Sequence, residues 1–350
     1  MTAGHARALS IEPLGQGHLE QAAELLAARH QADRRREPDL PERFATATAT
    51  RTAVQMVLAG QDSGGVAALQ EGRLVGYLAG EIALVTPSSF RALFFRPRSA
   101  FIGYAGHAVD PENGAETYRA LYAALAPRWL ASGCFSHYVE VPATDTDALD
   151  AWYSLGFGQF LTLAVRDTGP VAGAQTEADV QIHQAGREDL EEVVRLQRGI
   201  ALYQTQSPMF LPYFPETEME QRSYQRDILG SPESSHWLAS RDGQAMGLQT
   251  YFSPRVMYPF LAKMATPEHC TYLGQGFTEA QARGGGVGGA LLDRGMSWAR
   301  EAGYKHCLLH FVSANLLGAR FWLGSGFRPL AYLLCRNVDE RIAWADGGER

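Results

Sequence analysis

The two halves of this 350-residue chain align with each other at a constant spacing of 170 positions. Closer to the N-terminus the spacing becomes 171, pairing Gly72 with Gly243, which indicates one inserted residue. A period this long predicts two duplicated domains, because solenoid repeats run to about 20 to 50 residues. The clearest matching pairs are Asp145 and Asn315, Ala148 and Gly318, Trp152 and Trp322, Gly156 and Gly326, and Phe157 and Phe327.

The repeat predicts an N-terminal lobe at 1–167, a linker at 168–179 and a C-terminal lobe at 180–350. Each lobe reads as strand, helix, variable segment, hairpin, strand, helix, strand, helix, strand. Glu71-Gly72 and Asp242-Gly243 supply the hairpin turns. We therefore predict an α/β (α+β) fold of two tandem lobes, each a mixed, mainly antiparallel sheet flanked by helices.

A glycine cluster stands between a predicted strand and a predicted helix of the second lobe. Arg283 precedes it, and it consists of Gly284, Gly285, Gly286, Val287, Gly288 and Gly289. Glycine lets the backbone turn tightly and present several N–H groups in one direction. The helix that follows adds its unpaired N–H groups and the positive end of its dipole. This pattern predicts a phosphate or pyrophosphate site.

A dinucleotide-binding fold is one interpretation of this cluster, because Gly284-x-Gly286-x-x-Gly289 fits its fingerprint. That fold needs an acidic residue at the end of the next strand, about 20 residues on, to bind the ribose. The next strand here ends at 310–313, His-Phe-Val-Ser, without an acid. The chain remaining after it is also too short for a doubly wound sheet.

A second family matches the sequence further. Arg283-x-x-Gly286-x-Gly288 resembles the pyrophosphate loop of the GCN5-related N-acetyltransferases (GNAT), Arg/Gln-x-x-Gly-x-Gly/Ala. The segment from Asn315 to Phe327 resembles that family's Asn-x-x-Ala-x-x-x-Tyr-x-x-x-Gly-Phe motif. Two positions differ, since Gly318 replaces the usual Ala and Trp322 the usual Tyr.

The resemblance implies an N-acetyltransferase that uses acetyl-CoA as co-substrate and releases coenzyme A. It implies that the backbone of Gly276, Phe277 and Thr278 pairs with the pantetheine arm, that residues 283–289 bind the pyrophosphate, and that Asn315 contacts the pantetheine, with Trp322 beside it. The alternative is that the glycines only form a tight turn between strand and helix.

The first lobe lacks these features. Asn113, Glu116 and Tyr118 occupy the positions that match Arg283, Gly286 and Gly288. A carboxylate there would repel a pyrophosphate, and side chains would block the approach to the backbone. We therefore predict that the N-terminal lobe is degenerate and shapes the substrate cleft, as in tandem family members such as the mycothiol synthases.

Three residues are candidates for the catalytic base. His310 ends a strand five residues before Asn315, and a histidine with an ordinary pKa near 6.5 can accept an amine proton at neutral pH. A buried strand histidine without a catalytic role is the alternative. Glu268 and His269 come next, at the start of the strand that precedes the loop, although residues beside a proline are often turn formers. Trp322 leaves the general acid unassigned, because an indole N–H does not release its proton.

The acceptor is predicted to be a small, partly apolar amine. Residues 203–220, between helix and hairpin, are rich in aromatic residues and proline and then acidic. Tyr251, Phe252, Tyr258 and Phe260 add further aromatic side chains. A lid that only packs on the other lobe is the alternative.

The net charge, the cysteine spacing and the length of the apolar runs indicate which binding partners and which cellular compartment to expect. A net charge of −7 argues against nucleic-acid binding. Cys134, Cys270, Cys307 and Cys335 lack metal-binding spacing and are typical of the reduced, mostly buried thiols of a cytoplasmic protein. No apolar run approaches 18 residues, so we expect neither a signal peptide nor a membrane span. The sequence leaves homodimer formation open.

Two functions from different classes agree with the sequence. The first is an acyl-CoA-dependent N-acyltransferase that acts on a small-molecule amine. The second is a non-catalytic acyl-CoA-binding or sensor protein that kept the cofactor loop and lost the acid. They differ in whether acetyl-CoA is consumed when amines are supplied.

Overall fold

The computed structural model describes residues 9–60, 62–112, 114–173, 179–256 and 264–345. Its N-terminal part follows the predicted order, with a second helix added in the variable segment and two strands in place of the single strand predicted after the hairpin. The elements are β1 (Ser10–Pro13), α1 (Leu19–Arg36), α2 (Ala47–Ala59), β2 (Ser63–Gln70), β3 (Arg73–Leu84), β4 (Arg98–Ile102), β5 (His107–Val109), α3 (Gly114–Ala131), β6 (Ser136–Pro142), α4 (Thr146–Ser154) and β7 (Gly158–Asp167).

The C-terminal part follows the predicted order, again with an extra helix before the hairpin, and its described residues form one strand after the hairpin. Its elements are β8 (Gln181–Gln184), α5 (Leu190–Gln204), α6 (Glu216–Ile228), β9 (Ser234–Arg241), β10 (Gln244–Phe252), β11 (Cys270–Thr278), α7 (Val287–Glu301), β12 (His306–Val312), α8 (Leu316–Gly324), β13 (Arg328–Asn337) and a short α9 (Ile342–Ala345).

The predicted hairpins form at the predicted turns. Glu71 and Gly72 have φ of 54° and 80°, and Asp242 and Gly243 have φ of 49° and 76°. Positive φ at both central residues matches the twist of the flanking strands, which is why Asp, Asn and Gly dominate such turns. The strands therefore follow each other as β2–β3 and β9–β10 in equivalent places of the two lobes.

The described strands form one continuous sheet of thirteen strands rather than two separate sheets. Its order is β1-β2-β3-β4-β6-β13-β7-β12-β11-β10-β9-β8, with β5 paired to β3. Two pairs are parallel, β4 with β6 and β11 with β12, and the other pairs are antiparallel. The mixed, mainly antiparallel sheet flanked by helices is thus confirmed, and the two lobes share it.

The two lobes exchange their last strands. β7, which ends the first repeat, pairs with β12 of the second, from His306–Asp167 to Val312–Leu161. β13, which ends the second repeat, pairs with β6 of the first, and β7 and β13 pair with each other at the centre. The division of the chain at 168–179 remains a prediction about sequence, because in space each lobe is completed by a strand of the other.

The two parallel strands of the C-terminal lobe separate halfway along their length. β11 pairs with β12 from Cys270–His306 to Leu273–Leu309 and then continues to Thr278 along β10 alone. Thr250 pairs with Gln275 but Tyr251 with Leu273, so Gly274 is an extra residue that bends β11 at this point. An opening lined by backbone groups of β11 results.

The helix that follows this opening packs through one apolar face. Leu291, Leu292 and Met296 of α7 are fully buried. A Cβ atom on Gly295 would lie within 2.0 Å of the Tyr251 ring, so glycine here lets that tyrosine fit between sheet and helix. The position of α7 relative to the sheet is therefore set by close packing.

The linker is attached to the C-terminal lobe at its start. The amide of Thr168 donates to the carbonyl of Lys305 at 3.1 Å, and Arg300 donates to the carbonyl of Thr168. Residues 174–178 of the linker and residues 346–350 lie outside the described residues. In the described part of the chain no helix is long and apolar enough to cross a membrane.

The strand exchange predicts that neither half of the chain folds alone. A fragment of residues 1–173 would lack β13 beside β6, and a fragment of residues 174–350 would lack β7 beside β12. Each would expose a row of unpaired backbone groups. We expect each fragment to aggregate when expressed alone, and the two to copurify as a folded complex when coexpressed.

Intact protein cleaved at a protease site placed in the linker serves as the control and should stay associated. A monomeric 174–350 fragment that unfolds cooperatively at the full-length melting temperature would contradict the exchanged arrangement.

Candidate functional site

A cavity of about 1930 Å³ lies where the two lobes meet. The N-terminal lobe contributes residues of α2, β4 and β6, and the C-terminal lobe contributes α5, α6, β10, β11, β12 and the glycine loop. The predicted site residues that line it are Gly276, Phe277, Thr278, Arg283, Gly284, Gly286, Val287, Gly288, Gly289, His310, Asn315 and Trp322. The fold thus brings most of the predicted site into one space.

The glycine loop has the backbone geometry of an anion site. Gly284 and Gly286 have φ of 85° and 80°, in the left-handed region that favours glycine. Gly286 is the N-cap of α7 and has no side chain to bond the first-turn amides. Those amides have no acceptor within the helix, and the positive end of the dipole lies there.

Gly288 lies close to the aromatic ring of a neighbouring helix. A Cβ atom there would lie 3.1 Å from Phe321 of α8. The glycine at this position therefore lets α7 and α8 approach closely, which is a packing reason that the loop motif alone does not reveal.

Arg283 lies at the rim of the cavity. Its Nε donates to the carbonyl of Thr278 at 3.0 Å, and its guanidinium group lies 4.9 Å from the centre of the Tyr203 ring. The side chain is exposed. These contacts hold a positive charge beside the loop.

The opening between β11 and β12 has Trp322 as its inner wall. A Cβ atom on Gly276 would lie 2.8 Å from the indole, so the ring rests directly on the backbone of β11. Trp322 is buried and packs edge-on against Phe327, with ring centres 5.7 Å apart. The tryptophan thus packs beneath the strand.

Asn315 caps α8, the helix next to the opening. Its Oδ1 accepts from the amide of Gly318 at 3.0 Å. The equivalent cap in the N-terminal lobe joins Asp145 Oδ1 to the amide of Ala148 at 3.1 Å. Asn315 therefore lines the cavity in a fixed orientation.

His310 is half-buried at the cavity wall, just beyond the last paired residues of β11 and β12. Its Nδ1 forms a hydrogen bond of 3.1 Å with the hydroxyl group of the buried Tyr272. Burial lowers the pKa of the imidazole to about 4, below the ordinary histidine pKa assumed from the sequence. The ring is consequently neutral at pH 7.

Glu268 and His269 lie elsewhere. Both are exposed in the turn before β11, and His269 has a positive φ of 52°. The carbonyl of His269 accepts from the amide of Lys305 at 2.8 Å, which closes the turn. Neither residue is part of the cavity wall that Gly276 and His310 share.

The equivalent place in the N-terminal lobe is filled by side chains. α3 begins at Gly114, the position that matches Gly284, so the helix replaces the loop. Tyr118 is 2% exposed, and its hydroxyl group forms a 2.8 Å hydrogen bond with Nδ1 of His107. Nε2 of His107 in turn bonds the carbonyl of Glu140 on β6 at 2.8 Å.

Two further residues of the N-terminal lobe, Glu116 and Asn113, match positions of the glycine loop. Glu116 forms an ion pair with Arg119 in the first turn of α3. Asn113, the match to Arg283, lies outside the described residues. The described N-terminal lobe therefore presents an acid and a buried aromatic residue where the C-terminal lobe presents glycine.

Glu140 is a cavity residue that the sequence analysis did not identify. It lies 170 positions before His310, at the equivalent point of the repeat, and its side chain is 6% exposed. Burial raises the pKa of its carboxyl group to about 8, although the nearby Arg29 guanidinium lowers it. Extending the repeat alignment to the catalytic candidates would have found this residue.

The predicted acceptor segment contributes in part. Met209 and Leu211 are buried beside the cavity, whereas Phe210 is 71% exposed. Tyr203, Glu220 and Phe252 line the cavity. Tyr251 is buried beneath α7, and Tyr258 and Phe260 lie outside the described residues.

The described residues form neither a metal site nor a disulfide bond. No group of three His, Cys, Asp or Glu side chains in this part of the chain is placed to hold a metal ion. The four cysteines are unpaired thiols, of which Cys134, Cys270 and Cys307 are buried. The described site therefore consists of backbone amides, a glycine loop, a neutral imidazole and a buried carboxyl group.

Known proteins share this architecture. The model of the Acetyltransferase (GNAT) family matches residues 200–327. A GCN5-related N-acetyltransferase from Sphaerobacter thermophilus is similar in structure, with a TM-score of 0.58 and 13% identity over 94% of this chain and 95% of that one. No curated protein matches the sequence.

Two further solved structures are similar over most of this chain. A tandem GNAT protein from the clavulanic acid biosynthesis pathway has a TM-score of 0.50 and 14% identity over 94% of this chain and 98% of that one. A GCN5-related glucosamine N-acetyltransferase region of a fungal multi-domain GH3 beta-N-acetylglucosaminidase has a TM-score of 0.55 and 12% identity over 96% of this chain and 39% of that one. At such identities the likeness is one of fold.

The environment of His310 predicts its titration. Because burial disfavours the imidazolium form, we expect the ring to stay neutral well below an ordinary histidine midpoint and to protonate with a pKa of about 4. Nitrogen-15 NMR of the imidazole measures this, and the spectrum of His310→Gln assigns the signal. A midpoint near 6.5 would show that the ring is solvated instead.

Proposed function

We propose that the chain is a two-lobed member of the GNAT superfamily of acetyltransferases and that it transfers an acyl group from acetyl-CoA to the amine of a small molecule. One observation carries the proposal. The opening between β11 and β12 and the glycine loop at the start of α7 face the same cavity, which has room for an acceptor. A thioester and an amine can therefore meet there.

We place the cofactor in the C-terminal lobe. The amides at the start of α7 would bind the pyrophosphate, with Arg283 beside it. The backbone of Gly276, Phe277 and Thr278 is unpaired toward β12, so it would pair with the pantetheine arm, with Asn315 and Trp322 beside that arm. Bound there, acetyl-CoA supplies an activated acyl group.

The N-terminal lobe is proposed to shape the acceptor side of the cavity rather than to bind a second cofactor. The hydrogen-bonded chain from Tyr118 through His107 to the carbonyl of Glu140 crosses the space that stays open in the other lobe. Glu116 would repel a pyrophosphate at the start of α3. This supports the prediction that the lobe is degenerate.

His310 is the proposed proton acceptor. The attacking amine must lose a proton as its nitrogen bonds to the carbonyl carbon, and that nitrogen becomes strongly acidic as the bond forms. A neutral imidazole with a lowered pKa can take a proton from so strong an acid, and the Tyr272 hydroxyl group holds its Nδ1 in place. Glu268 and His269, exposed in their turn, have no role in this proposal.

No general acid is assigned. Trp322 occupies the position of the usual tyrosine and packs beneath β11. Its indole N–H can donate a hydrogen bond but does not release a proton. The thiolate of coenzyme A would leave without a proton from this residue or take one from water.

The alternative is an acyl-CoA-binding protein without turnover, favoured by the absence of an acid at Trp322. Both functions include coenzyme A binding, so binding does not separate them. A free-thiol assay with acetyl-CoA and a panel of amines does, because only the enzyme releases coenzyme A in proportion to the amine supplied.

The loop geometry predicts one decisive substitution for cofactor binding. Gly286→Glu would place a carboxylate against the pyrophosphate and strain a residue with φ of 80°. We expect the affinity for coenzyme A, measured by calorimetry, to fall below detection.

Gly303→Glu is the matched control, because Gly303 has φ of 83°, lies at the far end of α7 and is exposed. It carries the same strain and charge and should bind coenzyme A as the native protein does. Equal affinities of the two variants would move the cofactor away from this loop.

A second prediction concerns turnover. His310→Gln should leave coenzyme A affinity unchanged and lower kcat by about 10²–10⁴, the value of a positioned base. The deficit should shrink as pH rises, because more of the amine is then neutral already. The pH–rate profile under saturating acetyl-CoA measures this.

His269→Gln, a histidine change outside the cavity, should keep the native rate. A profile in which His269→Gln is impaired and His310→Gln is not would place the base in the turn before β11.

A further inference from the structure

A row of four paired residues crosses the floor of the cavity from one lobe to the other. Glu140 of β6 pairs with Leu333 of β13, Leu333 pairs with Leu161 of β7, and Leu161 pairs with Val312 of β12. Directly paired residues of antiparallel strands point to the same face of the sheet. All four line the cavity, so it has one carboxyl end and an apolar middle.

The carboxyl group at the end of this row is incompletely bonded. Oε1 of Glu140 is buried and has no hydrogen-bond partner among the described residues. Arg29, the cation that acts on this carboxyl group, already donates to the carbonyls of Tyr104 and His107 and lies 4.0 Å from Asp33. A buried acceptor without a donor is costly, so such a group is a candidate for binding a ligand.

The other end of the row is where the proposed reaction takes place. His310 precedes Val312 by two residues on β12 and so faces the same side of the sheet. Asn315 follows Val312 by three residues. Between the two ends the lining is apolar, because Leu161 and Val312 line the cavity and belong to one hydrophobic cluster with Met209 and Leu211. A molecule that spans the row meets polar groups at its ends and aliphatic groups along its middle.

We propose that the acceptor is an elongated diamine that lies along this row, with its far ammonium group bound by the carboxylate of Glu140. The spacer would pack on Leu333, Leu161 and Val312, and the near amine would lie at His310. The inference deepens the proposed function, on which it rests for the identity of the reacting end.

The length of the row limits the spacer. Four adjacent strands are separated by three spacings of about 4.8 Å, which gives about 14 Å across the sheet from Glu140 to Val312. His310 stands two residues, about 6.6 Å, from Val312 along β12, so the Cα atoms of Glu140 and His310 are about 16 Å apart. Side chains at both ends shorten the distance that the ligand must cover to about 10 Å. An extended eight-carbon diamine suits that span, and shorter diamines do not reach both ends.

Calorimetry with 1,8-diaminooctane tests the far end, and octylamine is the matched ligand without the second amine. We expect the diamine to bind the native protein about 10- to 100-fold more tightly than octylamine, the effect of a hydrogen bond to a charged group. Glu140→Gln should remove this difference and leave octylamine affinity unchanged. Across a series of diamines, affinity should peak near the eight-carbon length.

Glu81→Gln is the matched control, because Glu81 is a second carboxyl group of the same cavity outside the row. It should keep the preference for the diamine. If Glu140→Gln keeps that preference, or if the native protein binds both ligands equally, the inference is overturned.

Proton release is a second readout that a purely structural carboxyl group would not produce. The raised pKa of Glu140, about 8, leaves the carboxyl group mostly protonated at pH 7, and an ammonium group bound there favours its ionised form. Arg29 and Tyr104 interact electrostatically with this carboxyl group, the backbone amide of Ala265 donates to it, and His107 bonds the backbone carbonyl of the same residue.

We therefore expect the diamine to release up to one proton more than octylamine at pH 7, measured by titration in buffers of different ionisation enthalpy. Glu140→Gln should abolish the excess. Native protein that binds the diamine without excess release would contradict the carboxylate contact.

These readouts need no acyl transfer, which separates the two proposals. Diamine binding that depends on Glu140, without consumption of acetyl-CoA, would support this inference and refute the enzymatic function. Acetylation of monoamines and diamines with equal KM would support the enzymatic function and refute this inference.

Discussion

The pairing of β7 with β13 at the centre of the sheet is the interaction on which the rest of the structure depends. Each strand ends one repeat yet completes the sheet of the other, so two half-sheets become one continuous surface. The two lobes cannot rotate apart without breaking a ladder of backbone hydrogen bonds, whose unpaired groups would then need water or another strand. The cavity that they share is consequently part of one framework.

The opening beside β11 and its equivalent in the N-terminal lobe differ in what fills them. In the C-terminal lobe, glycine at 276 lets Trp322 pack closely beneath β11, and glycine at 284 and 286 turns the chain into a helix with exposed amides. In the N-terminal lobe, Tyr118 and His107 fill the equivalent space and bond across to β6. Side-chain volume at a few positions thus leaves one of the two openings free and fills the other.

The shared cavity also brings together ionisable groups that are far apart in sequence and buried to similar effect. Burial holds His310 neutral by lowering its pKa and holds Glu140 largely neutral at pH 7 by raising its pKa. Because the His310 imidazole is neutral, it can accept a hydrogen bond or a proton from an amine placed beside it. A charged group of a ligand would restore the charge on Glu140, and the apolar row between the two residues separates the two ends.

The local and repeated features of the fold could be predicted from the sequence. A constant spacing between halves predicted two copies of one fold, and Asp-Gly or Glu-Gly pairs predicted the hairpin turns, because such turns depend on backbone conformations that few residues adopt. The glycine cluster predicted the loop at the start of α7 for the same reason. These signals lie within short stretches of chain, where residue type and backbone geometry are directly linked.

Strand pairing and the burial of individual side chains became known only from the three-dimensional structure. Periodicity in sequence does not specify which strands pair, so the exchange of β7 and β13 and the row from Glu140 to Val312 could not be predicted. The pKa of His310 likewise depends on burial contributed by distant segments, which is why its ordinary value was assumed. Pairing and desolvation are long-range properties, and they set the environment in which the residues predicted from sequence must act.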